Sequence, residues 1–121
     1  MRTAQETIDL FWRTQDAGDY SALVALFADD AVLVDPFYGT FNGRDAIAGF
    51  MALMNKEMTG RNTSFTLVEA AGDGQLCWAQ WTAHTPAGDI DGVGVYRVRN
   101  GQLTYYRDYM NAPRNLAANR Q

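Results

Sequence analysis

The chain has 121 residues, enough for one domain whose core needs no disulfide staples. Apolar residues make up 47% and charged residues 20%, an ordinary globular balance that excludes an extended disordered chain. The net charge is -4 and Lys56 is the sole lysine among ten scattered basic residues, which argues against a nucleic-acid partner. Cys77 stands alone, so neither an intramolecular disulfide nor a cysteine metal cage can form. The first six residues carry no apolar signal-peptide core, and the longest apolar run, Ala22 to Ala28, is too short to span a bilayer. No membrane association is expected, and a cytoplasmic location is the default.

Thr3 followed by Glu6 is a capping box, and Ile8, Phe11 and Trp12 then recur at helical spacing. Gly18 ends this helix, and Asp19 can cap a second one with Leu23, Leu26 and Phe27 on its apolar face. Asp29-Asp30 interrupts the pattern. Ala31 to Asp35 reads as a short strand ending at Pro36, and Phe37 to Asn42 as an aromatic, turn-rich stretch. Gly43-Arg44-Asp45 opens a third helix with Ile47, Phe50, Met51 and Met54 on one face. After Gly60 the chain reads as four strands: Thr63 to Ala70, Leu76 to His84, Gly92 to Val98 and Leu103 to Met110. The last two are joined by Asn100-Gly101, a strong hairpin signal because both residues tolerate positive φ. Helices ahead of an antiparallel meander predict a single α+β domain over 1–111, a cone-shaped curved antiparallel sheet wrapped around the helices and enclosing a pocket. The polar segment 112–121 reads as a loose tail.

The run from Phe27 through Asp35-Pro36-Phe37, followed by Gly43-Arg44-Asp45-Ala46-Ile47, resembles the bacterial ketosteroid isomerases of the nuclear transport factor 2-like superfamily. That resemblance puts the general base on Asp35. The run Gly101 to Tyr109 is similar to the limonene-epoxide hydrolases and to the SnoaL-type polyketide cyclases, whose aspartate on the last strand falls on Asp108. The matches are incomplete. Where the isomerases place an oxyanion-binding tyrosine and a protonated aspartate, this chain has Phe11 and Gly94; where the epoxide hydrolases place an arginine and an aspartate, it has Gln80 and Thr82. Their water-holding tyrosine and asparagine fall on Leu33 and Asp35.

Strand parity groups Leu33 with Asp35, and Tyr106 with Asp108 and Met110. A carboxylate on such an apolar face would have a raised pKa suited to proton transfer, and two in one cavity would move apart into an acid and a base. Asp35 can equally cap the turn before Pro36, and Asp108 can pair with Arg107, Gln80 or a backbone amide. His84, the only histidine, shares parity with Trp78, Gln80 and Thr82, and is more readily a surface residue than a catalyst. The expected pocket lining is Leu33, Trp78, Gln80, Thr82, Gly94, Tyr106, Met110, Phe11, Trp12 and Phe37, around Asp35 as base and Asp108 as second acid or base. The sequence implies neither a cofactor nor a metal, since one His and scattered carboxylates lack ligand spacing.

The expected function is acid/base isomerisation or cyclisation next to a carbonyl, on a compact apolar molecule. The alternatives are epoxide opening by water, and a binding or dimerisation module without turnover. Apolar residues on both sheet faces predict a homodimer through the outer face.

Overall fold

The computed structural model describes residues 1–110, so the segment expected to form a loose tail lies outside the described residues. Helix α1, Ala4–Asp16, begins at the expected capping box. The Thr3 hydroxyl accepts from the Glu6 amide at 3.1 Å, and the Glu6 carboxylate accepts from the Thr3 amide at 3.0 Å. Its buried face carries Ile8, Phe11 and Trp12. Helix α2 is one short turn, Tyr20–Val24, capped by Asp19. Of the apolar face expected for it, only Leu23 stays helical. The Leu26 carbonyl accepts from the Leu103 amide at 2.7 Å, so pairing to the sheet overrides continuation of the helix.

Strand β1 accordingly starts earlier than expected and spans Phe27–Asp35. The register against its partner shifts between Phe27 and Val32, and Asp29 and Asp30 bulge outward there, paired to Arg44 and Arg99. The turn-rich stretch contributes a short strand β2, Gly39–Asn42, antiparallel to β1. Helix α3, Arg44–Gly60, buries Ile47, Phe50 and Met51. The remaining strands are β3, Ser64–Asp73; β4, Leu76–Thr85; β5, Gly88–Arg99; and β6, Gln102–Met110. Asn100 and Gly101 both take positive φ, as the hairpin reading requires.

The six strands form one curved, unclosed sheet in the order β2-β1-β6-β5-β4-β3. Only β1 and β6 run parallel; every other neighbour is antiparallel. The helices cover the concave face, where Ile8, Phe11, Leu23, Ile47 and the inward strand residues build the core. On β5 the inward row alternates Gly92, Gly94 and Tyr96, leaving room for rings from neighbouring positions. No helix among the described residues is long and apolar enough to cross a membrane.

Candidate active site

The helices and the concave sheet face enclose a cavity of about 460 Å³. Leu33, Phe50, Met51, Met54, Phe65 and Ile90 are among the apolar side chains that line it. Asp35, Tyr106 and Asp108 are polar groups on its wall, with Gln15, Arg61, Thr63 and Thr85 also contributing.

Asp35 and Asp108 arrive from neighbouring parallel strands. The register pairs Leu33 with Tyr106 and Val34 with Arg107, so Asp35 and Asp108 stand one step further along. Alternation then points Leu33, Asp35, Tyr106 and Asp108 to the same side. Asp35 is 9% exposed, and its Oδ2 accepts from the Phe37 and Tyr38 amides, both at 2.8 Å. The turn-capping role is therefore real, and it coexists with a place on the cavity wall.

Asp108 is held differently. Its Oδ1 is buried and has no hydrogen-bond partner among the described residues. Burial pushes the carboxyl up to about 7; the charge of Asp35 adds to the rise, while the Tyr106 hydroxyl and the Trp81 indole oppose it. A carboxyl that titrates near neutrality can both take and return a proton. The structural pairing of Asp108 with Arg107 is excluded by strand parity, since Arg107 points outward and is exposed.

Of the expected lining, Leu33, Trp12, Phe37, Tyr106 and Met110 are on the cavity wall. The β4 positions are corrected. Trp78, Gln80 and Thr82 lie on the outer face, because the inward row of β4 is Cys77, Ala79, Trp81 and Ala83. The register against β5 sets Ala79 opposite Gly94 and Trp81 opposite Gly92, and the room left by these glycines fixes the parity. The positions matched to the epoxide hydrolases' arginine and aspartate therefore lie outside the cavity. Thr82 instead donates to Asp91 at 2.9 Å. His84 also faces outward, bridging Thr66 at 2.8 Å and Asp89 at 3.0 Å.

Phe11 and Gly94 face inward but do not line the cavity. Phe11 is wholly buried among Trp12, Phe27, Tyr96 and Tyr106. The space beside Gly94 is filled by the Tyr96 ring, whose hydroxyl lies 2.5 Å from where a Cβ at 94 would be. Sequence reasoning missed Trp81 and Tyr96. The signal for Trp81 was the glycine opposite it: Trp81 pairs with Gly92, and a Cβ at 92 would lie 2.3 Å from the indole.

Cys77 is buried and its thiol pushed up to about 12, which removes it as a nucleophile. No three His, Cys, Asp or Glu side chains gather as a metal site among the described residues.

Residues 8–106 match the SnoaL-like domain family. The chain belongs to that family. A PhzA/B-like protein of Pseudomonas aeruginosa, itself uncharacterised, is 30% identical over 126 residues, covering 95% of this chain and 89% of the relative. A Kribbella flavida protein provisionally named a ketosteroid isomerase superposes with a TM-score of 0.76 at 17% identity, covering 90% of this chain and 78% of its own. A Sinorhizobium meliloti protein provisionally named a polyketide cyclase gives 0.72 at 15% identity, covering 85% and 93%. At these identities the two structures share the fold of this chain, and a fold of this kind does not carry a reaction with it. The expected nuclear transport factor 2-like architecture is the one observed.

Proposed function

We propose that this SnoaL-like protein catalyses proton transfer at a carbon next to a carbonyl, isomerising or cyclising a compact apolar molecule without a cofactor. The observation that carries this reading is Asp108, whose carboxyl has one enclosed oxygen and is pushed up to about 7 on the wall of a mostly apolar cavity. Such a group is present in both forms near neutral pH, as a proton carrier must be.

The sequence resemblance assigned the base to Asp35. The cavity favours the opposite division. Asp35 has one oxygen committed to two backbone amides, whereas Asp108 Oδ1 has no such tether among the described residues. In this reading the Asp108 carboxylate removes a proton from the carbon next to the carbonyl. The electron pair moves onto the carbonyl oxygen, which accepts from the Tyr106 hydroxyl. For an isomerisation, protonated Asp108 returns the proton to a different carbon. For a cyclisation, the enolate carbon instead attacks a second carbonyl carbon of the same molecule; the C=O π pair moves onto that oxygen, which then takes the proton held by Asp108. Asp35 acts as a fixed charge that holds the Asp108 proton affinity up, and the apolar walls exclude water from the enolate. Burial of the substrate's body contributes about 25 cal/mol per Å² of apolar surface removed from water.

The test is solvent-deuterium incorporation into a panel of cyclic ketones and enones, followed by NMR. Incorporation next to the carbonyl, lost in Asp108→Asn and retained at least in part in Asp35→Asn, supports the reading. No incorporation into any ketone that binds the cavity sinks it.

A further inference from the structure

Three buried polar atoms lack hydrogen-bond partners among the described residues: Trp12 Nε1, Tyr96 Oη and Asp108 Oδ1. Unpartnered buried polar atoms are costly, and three in one small domain call for a common explanation.

The topology brings them together. Gly94 on β5 is the direct cross-strand partner of Asp108 on β6, so their side-chain positions are about 5 Å apart. The Tyr96 hydroxyl occupies the side-chain space of Gly94, 2.5 Å from the position a Cβ would take. It is therefore a neighbour of the Asp108 carboxyl, reached from the next inward position of the same strand. Phe11 packs against Trp12, Tyr96 and Tyr106, at ring separations of 6.3, 5.7 and 5.5 Å, so the three rings form one cluster with Trp12 beside Tyr96. Tyr96 and Tyr106 meet edge to face at 4.6 Å.

We infer that Tyr96 is a positioning residue for Asp108. Its hydroxyl turns toward Oδ1 and donates to it when the carboxylate forms, while Trp12 Nε1 donates to the Tyr96 oxygen from behind. This rests on the reading of Asp108 as the proton carrier. It assigns the two carboxyl oxygens different tasks, with Oδ1 held at the back and Oδ2 presented to the cavity. It also gives glycine at 94 a purpose, since any side chain there would expel the Tyr96 hydroxyl.

The chemistry of Tyr96 suits the task. Burial, reinforced by the Asp108 charge, drives its phenol well above the ordinary value, so it remains a neutral donor wherever Asp108 titrates. The groups facing Asp108 are Asp35 from β1, Tyr106 from its own strand, Trp81 from β4 and Tyr96 from β5. Among these, Asp35 is the one whose charge raises the Asp108 proton affinity.

The experiment is a pH titration of the Asp108 carboxyl carbon by NMR in the Tyr96→Phe protein. Removing a donor to the ionised form should raise the Asp108 midpoint by about one pH unit. Trp12→Phe, which removes only the rear donor, should raise it by less. A purely structural Tyr96 predicts no shift and a fold no weaker than the wild type, because an unpartnered buried hydroxyl has been deleted. Unchanged midpoints in Trp12→Phe and in any folded Tyr96→Phe protein overturn the inference. The titration needs no substrate, so an inactive protein that still shows the shift would count against the proposed reaction and not against the Tyr96 role.

Discussion

Asp35 on β1 and Asp108 on β6 face one cavity from adjacent parallel strands, and the negative charge of the first raises the proton affinity of the second. Burial is the larger cause and the neighbouring charge the smaller. Asp35→Asn removes the charge while keeping a carbonyl oxygen that can accept from the Phe37 and Tyr38 amides. The Asp108 midpoint should then fall, and the fold should weaken by only about 1 kcal/mol. Carboxyl NMR and urea denaturation measure the two effects separately. An unmoved midpoint would mean that the carboxylates are not coupled.

Asp108 also leaves a mark on stability. Its pKa is about 7 in the folded protein against 3.8 for the unperturbed group, so folding favours the protonated form. The corresponding stability is complete below the lower value, declines through the window between the two, and is lost above about 7. Asp108→Asn has no such decline. The variant should therefore gain on the wild type as pH rises, by ~2 kcal/mol or more near pH 8. Urea midpoints compared at about pH 4 and pH 8 read this directly. A variant less stable than the wild type at pH 8 would point to a carboxylate stabilised by partners.

The sheet depends on glycine at a second inward position. A Cβ at Gly92 would come within 2.3 to 2.7 Å of three atoms of the Trp81 indole. Trp81 is only 3% exposed and cannot swing away freely. Gly92→Ala should cost roughly 1–3 kcal/mol by overpacking and lower the melting temperature. An unchanged melting temperature would show that the indole relocates without penalty.

The outer sheet face presents Leu76, Trp78 and Tyr109 at 49%, 38% and 52% exposure, beside half-buried Val93 and Val95. Apolar side chains grouped this way on a sheet call for cover, and pairing with a second copy of the same face provides it. The protein should be a dimer by light scattering at micromolar concentration, and Trp78→Glu should convert it to a monomer that keeps its fold. A wild-type monomer at that concentration would refute the pairing.

The fold was readable because its local signals agree: the Thr3 and Glu6 cap, the helical spacing of Ile8, Phe11 and Trp12, and the Asn100-Gly101 turn each specify one structure. The parallel pairing of β1 with β6 was not readable, since nothing local to either strand names its partner. In the site, Asp35, Tyr106 and Asp108 were legible through alternation. Strand β4 was not, because it carries a tryptophan on each face and either parity looks plausible. Only the register against β5, which sets Trp81 opposite Gly92 and Ala79 opposite Gly94, decides which tryptophan goes inward. Tyr96 escaped notice because it acts two positions away from the gap it fills.

The titration of the Asp108 carboxyl in the unaltered protein bears most directly on the proposed chemistry. Carbon-13 labelling of aspartate, with the Asp108 signal assigned through the Asp108→Asn variant, gives its midpoint without any knowledge of the substrate. A midpoint near 7 is expected from burial of the carboxyl, whose Oδ1 has no partner among the described residues, and from the charge of Asp35. A midpoint below about 5, close to that of an ordinary carboxylate, would contradict a proton carrier at this position.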